Sequence, residues 1–385
     1  MSVQTDNARE EYLIELLASA LNQREAILGR VRPSWGWIYK MSDYHHVSNL
    51  AYYKIMWVDD REARQWKEKF EDRYRNAMRQ QEKNKELRRR IEEALEEAEV
   101  HAVFLGETTV LGYYPHPEMR MPEPVQVLVD KKRIAEARKV MGRLGLEEAE
   151  RQDEKTGRFY VGFPGLWVEL MDALDFTEKK VRIWFEEFPK ILPKPENRHY
   201  IHNMNEETQY IYFMCRIAEK YARGQIEIRD IVDLWLLVTA EGSKINWKEV
   251  RRELEKLDLE MFGEYIVKLA GKWFGRLYFR DDMDILSDIQ TYIFTKGTEA
   301  RRESELFLPL VKTVADNYHR DLKKEEKKKQ REWSFPPLEY MKGTFPRLEK
   351  HPWLLPLYWM VRLARRRSFS RRNQTKEEEK EENGA

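Results

Sequence analysis

The stretch Val100–Asp130, VHAVFLGETTVLGYYPHPEMRMPEPVQVLVD, constrains the fold most. Val100–Leu105 is a short apolar run that suits a buried strand. Gly106, Glu107, Thr108 and Thr109 break it and open a helix, with Thr108 or Thr109 as the cap. Val110–Tyr114 continues as a short apolar turn. Pro115, Pro117 and Pro122 then stud a loop, and Val125–Val129 forms a second strand. The order strand, turn, helix, loop, strand is the front end of an α/β site domain.

These residues resemble the nucleotidyltransferase superfamily, and within it an uncharacterised bacterial nucleotidyltransferase-like family. That family reads strand, Lys-Gly, helix, Tyr-Tyr, Pro, Arg, then Asp-x-Asp in the next strand. Gly106, Tyr113, Tyr114, Pro115, Pro117 and Arg120 stand where the resemblance wants them. The Lys position falls on Leu105, and the two aspartate positions fall on Pro124 and Gln126. The resemblance continues downstream. Arg229 and Asp233 match the family's Gly-Ile-Arg and following Asp, whereas its Lys-His pair reads Glu219-Lys220 here. The closing segment His351–Arg362, HPWLLPLYWMVR, also resembles the family's C-terminal end. The likeness covers residues from about 10 to 365.

The resemblance implies carboxylates that hold magnesium on a triphosphate. Hard cations take charged oxygen ligands, and residues i and i+2 of a strand share one face. Here those positions are Pro124, which has no ligand atom, and Gln126, which offers one neutral carbonyl. Glu169 fits the third carboxylate position and is the candidate catalytic residue. The family reads Glu-Leu-His there, and this chain has Glu169, Leu170 and Met171. Glu107 and Glu123 are the nearby carboxylates that would have to rescue metal binding. Asp130 closes the second strand. No residue is assigned as a metal ligand. Gly106, Glu107, Thr108, Arg120, Gln126 and Arg229 are the candidates for a cleft that takes an anion, with Arg120's fork best suited to phosphate or carboxylate. Arg120 has an alternative role as the structural partner of a local acid such as Glu118 or Glu123.

The chain has 385 residues, 42% hydrophobic with 12 Trp, enough for a large core in two or three domains. Charged residues reach 36%, yet the net charge is +1, so no basic footprint for sequence-specific nucleic-acid binding stands out. The single cysteine, Cys215, excludes an intrachain disulfide framework and points to a reducing cytoplasm. No apolar run approaches the roughly 20 residues of a membrane span.

Helical spacing is expected over Glu10–Leu28, through Trp35–Lys54, and along the highly charged Arg61–Glu99. His45 and His46 point about 100° apart on a helix and so do not share one ion; they read as surface or satisfied histidines. After the central stretch, Lys131–Leu144 is a helix stopped at Gly145. Arg158–Phe163 and Leu166–Leu170 form a hairpin, and Asn197–Asn205 is loop. Glu206–Ala222, Ile228–Thr239, Trp247–Leu254 and Glu260–Trp273 are helices. The expected organisation is an N-terminal helical region (1–99), an α/β domain (100–195) and a helical domain (196–319). A charged linker with an aromatic closing segment (320–367) and a disordered tail (368–385) follow.

The expectation is therefore an α/β (α+β) fold, a nucleotidyltransferase-like mixed sheet with large helical portions on both sides of it in sequence. The leading functional expectation is a degenerate member that keeps a nucleotide- or small-anion-binding cleft and binds or scaffolds an unidentified protein partner, with no cofactor. The rival is an active nucleotidyl- or phosphotransferase using magnesium. Active relatives are implied by the resemblance to work in envelope-polysaccharide or peptide natural-product pathways. A third class is a membrane-peripheral adaptor that uses the WLLPLYWMVRLARRR segment.

Overall fold

The computed structural model describes residues 3–27, 34–58, 61–149, 158–162 and 166–295, with the single position 338. The chain divides into units 1–318 and 319–385. The closing aromatic segment, the charged linker and the tail lie outside the described residues.

The element order is α1 (Val3–Leu21), α2 (Trp35–Tyr44), α3 (Ser48–Ile55), α4 (Arg64–Glu97), β1 (Ala102–Leu105), α5 (Glu107–Val110), β2 (Val125–Val129), α6 (Ile134–Arg143), β3 (Glu147–Ala149), β4 (Arg158–Gly162), β5 (Leu166–Met171), α7 (Lys179–Trp184), β6 (Ile201–His202), α8 (Glu206–Ala222), α9 (Ile228–Glu241), α10 (Trp247–Lys256), α11 (Glu260–Phe274) and α12 (Met283–Thr295). The strands form one mixed sheet in the order β3-β4-β5-β2-β1-β6. The protein has the expected mixed α/β fold.

Strand alternation sorts the sheet's side chains between two cores. Ala102 and Phe104 of β1, Val125, Val127 and Val129 of β2, and Val168 and Leu170 of β5 face one layer. Leu87, Ile91 and Leu95 of α4 and Ala137, Val140 and Met141 of α6 cover that layer. The opposite residues, Val103, Leu105, Leu128 and Met171, join the larger helical core. All five β2 residues are buried, as expected of a central strand covered on both faces. Leu105 lies opposite Gln126 and Gln126 opposite Glu169, so the ends of β1, β2 and β5 converge.

The larger core is shared by helices far apart in sequence. Leu13, Leu16 and Leu17 of α1 belong to it with Leu50 of α3, Phe262 and Leu269 of α11 and Ile289 of α12. Helix α1 packs on both α3 and α11, and Asn22 Nδ2 donates to the Phe274 carbonyl at 2.9 Å.

The structure differs from the sequence expectation at identifiable places. Trp35–Lys54 is two helices rather than one, because His46 takes a left-handed φ of 56°. No glycine or proline marks that break; a tertiary contact holds it, with His46 Nδ1 2.8 Å from Glu227 Oε1. Residues 197–205 hold the short strand β6 inside what reads as loop. Glu96 at the end of α4 accepts from the backbone N–H groups of His199, Tyr200 and Ile201 at 2.6, 3.0 and 3.0 Å, and so fixes the approach of β6 to β1. His202 Nδ1 lies 2.7 Å from the Leu192 carbonyl, which can only accept, so Nε2 of His202 accepts from His101 Nδ1 at 2.8 Å. Neither anchor has a local signature. The four expected helices after residue 206 are present, and Gly145, at φ 76°, terminates α6 with Leu146 N–H on the Met141 carbonyl at 3.1 Å.

Because Ile91 is fully buried between α4 and the sheet, Ile91→Ala is expected to lower unfolding stability by about 2–5 kcal/mol. Urea denaturation of the two proteins checks this.

Candidate functional site

Gly106 follows β1 in a left-handed conformation, φ 64°. A Cβ built there would lie 2.4 Å from Gln126 Oε1 and 3.8 Å from Glu123 Oε2. The turn thus brings its backbone against the Gln126 amide and the Glu123 carboxylate, which a side chain at 106 would exclude. Gln126 Nε2 donates to Glu169 Oε2 at 2.7 Å. A carboxylate only accepts, so the amide nitrogen faces Glu169 and Oε1 turns toward Gly106. Gln126 is nine-tenths buried, and no protein donor among the described residues reaches its Oε1.

Arg120 lies beside this spot and points elsewhere. It is 3% exposed. Its Nε and Nη2 donate to Asp233 Oδ1 and Oδ2 at 3.1 and 2.9 Å, and Nη2 also donates to Glu123 Oε2 at 2.8 Å. Tyr114 donates its hydroxyl to Asp233 Oδ1 at 2.6 Å. Arg229 Nη2 meets Glu123 Oε1 at 2.6 Å and Glu227 Oε2 at 3.0 Å. Glu227 also receives His46, and Lys220 Nζ pairs with Asp230 Oδ1 at 2.6 Å. Tyr114, Arg120, Arg229 and Asp233, which carry much of the family resemblance, are thus links of one buried ionic chain. It ties the proline loop to the start of α9. The pairing of Arg120 with Glu123 is the structural role weighed for it; its bidentate partner, Asp233, comes from α9.

Local geometry explains the chain of pairs. The proline loop forms no ladder, so α4 holds its backbone: Gln81 Nε2 donates to the Arg120 carbonyl at 3.2 Å and Asn84 Nδ2 to the Glu123 carbonyl at 2.8 Å. A capping box between Glu227 and Asp230 starts α9, which sets Arg229 and Asp233 one helical turn apart on the buried side. Burial opposes ionisation of Glu123, but Arg120, Arg229 and Lys220 hold its carboxyl well below the usual carboxylate range. Burial likewise opposes ionisation of Glu227, yet His46, Arg229 and Lys220 bring it down to about 2.

Of the sequence candidates, the structure brings Gly106, Gln126, Glu123 and Glu169 together and commits Arg120 and Arg229 to ion pairs. Glu107 and Thr108 lie in α5, and their side chains are outside the described residues. Thr109 is inside α5 rather than its cap; its hydroxyl donates to the Gly106 carbonyl at 2.8 Å. Pro124 immediately precedes β2. Among the described residues, no group of three or more His, Cys, Asp or Glu side chains is arranged to hold a metal ion. No helix among them is long and apolar enough to cross a membrane.

One charged residue among the core-forming helices escaped the motif reading. Arg216 of α8 is half-buried, with Nη1 3.5 Å from the Tyr212 hydroxyl. Its signal is compositional: it is the sole charged residue in the run Tyr210–Ala218, YIYFMCRIA.

A family model described as an uncharacterised nucleotidyltransferase matches residues 32–275. The chain belongs to this family. The match spans α2 to α11, so it takes in the sheet together with α8 and α9. No curated protein and no solved structure gives a significant match.

Two outcomes follow from the ionic chain. Asp233→Asn leaves a buried guanidinium without its bidentate partner and is expected to cost about 3–5 kcal/mol of unfolding free energy. Chemical denaturation measures it. The second concerns acid. Glu227's folded pKa lies below its ordinary 4.5, so its contribution is present above pH 4.5 and is lost as pH falls toward about 2. Denaturant midpoints across that window are expected to fall with pH, and less steeply in Glu227→Gln.

Proposed function

We propose that this protein is a catalytically degenerate nucleotidyltransferase-like protein, which keeps the cleft beside Gly106 for a nucleotide or small anion and has a binding or scaffolding role. The observation that carries the reading is the hydrogen bond from Gln126 Nε2 to Glu169 Oε2 at 2.7 Å. Gln126 occupies a position where the resemblance implies an aspartate, and there it presents an amide donor to Glu169. A divalent cation needs anionic or carbonyl oxygens turned toward it. The Gln126 carbonyl oxygen instead turns toward Gly106, and Glu123 is already held by Arg120 and Arg229. This donor set does not fit a magnesium site built on paired carboxylates, so the reading contains no metal-assisted step.

Charge stabilisation at the transferring phosphorus is usually the largest catalytic contribution, and a metal clamp on both attacking and leaving oxygens supplies it in enzymes of this type. Its loss removes transfer while leaving a shaped, polar cleft. The expected outcome is no transfer of label from any nucleoside triphosphate, with magnesium or manganese and a cell extract as acceptor source. Transfer that disappears in Glu169→Ala would overturn the degenerate reading in favour of an active nucleotidyl- or phosphotransferase.

A further inference from the structure

Helices α8, α10 and α11 line a groove of about 500 Å³, a size within the roughly 300–1,000 Å³ of small-molecule sites. Its walls are Tyr210 of α8, Trp247, Val250 and Leu254 of α10, and Val267 of α11. Tyr210 and Trp247 meet edge to face, with ring centroids 5.1 Å apart. The Trp247 indole N–H donates to the Gly242 carbonyl at 2.8 Å, so the polar atom of that ring is already satisfied. The lining is therefore apolar apart from the Tyr210 hydroxyl and a set of charged side chains.

Tyr210 is 3% exposed. Its hydroxyl has no hydrogen-bond partner among the described residues, yet it is not closed off, so its remaining exposure opens on the groove. A tyrosine hydroxyl this deep normally finds a partner. Burial pushes its pKa up, so it stays protonated and donates. The charged residues of the lining are Lys248, Arg251, Lys268, Glu260 and Glu264. Arg251 pairs with Glu260 at 3.3 Å, and Lys268 with Glu264 at 2.7 Å and with Asp282 at 2.8 Å. Lys248 forms no ion pair among the described residues. The groove thus combines an apolar body, one unpartnered donor and one unpaired cation, which together complement an amphiphilic monoanion.

We propose that this groove binds a small aryl or alkyl carboxylic acid. The apolar body of the ligand lies against Trp247, Val250, Leu254 and Val267, its carboxylate accepts from the Tyr210 hydroxyl, and Lys248 balances the charge. The inference goes beyond the reading of the cleft beside Gly106, since Gly106, Glu123, Gln126 and Glu169 do not line this groove. A hydrogen bond to an ionised acceptor is roughly twice as strong as one between neutral groups, so the Tyr210 hydroxyl favours a carboxylate over an amide of the same shape. An amine would place its charge near Lys248, and that repulsion is felt more where water is partly excluded.

The test is calorimetric titration of the full chain with octanoate, 3-phenylpropionate and indole-3-propionate, each beside its primary amide and the matching amine. At least one carboxylate is expected to bind, and to bind more tightly than its amide and its amine. Tyr210→Phe keeps the ring and its packing against Trp247, and is expected to weaken that binding roughly tenfold. Lys248→Glu changes an exposed side chain and is expected to weaken it by a smaller factor, with the difference from wild type shrinking as salt is raised. Absence of binding by all three carboxylates at millimolar concentration overturns the inference. So does binding that is unchanged in Tyr210→Phe, because the acid then sits elsewhere. An amide or amine that binds as tightly as its carboxylate overturns it as well. None of these outcomes bears on the cleft beside Gly106, which is tested separately by label transfer.

Discussion

The bidentate pair between Arg120 and Asp233 is the contact on which the site region depends. Arg120 sits within a proline-studded loop that has no ladder to hold it, and Asp233 sits on α9, more than a hundred residues away in sequence. Removing two charges from water is costly, and attraction repays the cost only where geometry is good and remaining hydrogen-bonding capacity is met. Here it is met: Tyr114 donates to the same carboxylate, and Glu123 takes the other side of the guanidinium. Glu123 in turn draws in Arg229, and Glu227 draws in His46. A break in α2–α3, the loop before β2 and the cap of α9 are thereby fixed by one set of charges. The price is desolvation; the return is a loop with a defined path.

That arrangement also separates two jobs that look alike in the sequence. Arginine is suited equally to closing a buried ion pair and to receiving an anion, because the same planar fork does both. Arg120 and Arg229 take the first job, having carboxylates at 2.9 and 2.6 Å. Arg216 has no such partner among the described residues. The sheet contributes in the same way: β2 buries three valines toward α4 and α6, and this puts Gln126 on the opposite face with Leu128, which joins the larger helical core.

Much of this was legible from residues 100–130 together with the later strand that carries Glu169. Strand alternation in β1 and β2 places Val125, Val127 and Val129 on one face and Gln126 with Leu128 on the other, and the register joins Gln126 to both Leu105 and Glu169. Gly106 marked the turn because its left-handed backbone suits glycine. What stayed hidden depended on long-range contacts. The break at His46 is held by Glu227, β6 is anchored by Glu96, and Arg120's main partner is Asp233; none of these has a local pattern. Asp233 was visible as a motif residue, but its partner was not. Arg216 was hidden for a different reason: it lies in an apolar stretch of α8 that reads as core.

Helix α1 has one of its two packing partners, α11, about 240 residues further along the chain. Its apolar side rests on α11, and Asn22 reaches the Phe274 carbonyl. During translation α1 leaves the ribosome before α11, which follows on the order of ten seconds or more later. Until then Leu13, Leu16 and Leu17 face solvent or α3 alone. The nascent chain therefore carries an uncovered apolar surface while α4 to α10 are being made, and a chaperone able to shield that surface would act on this protein before its sheet is complete.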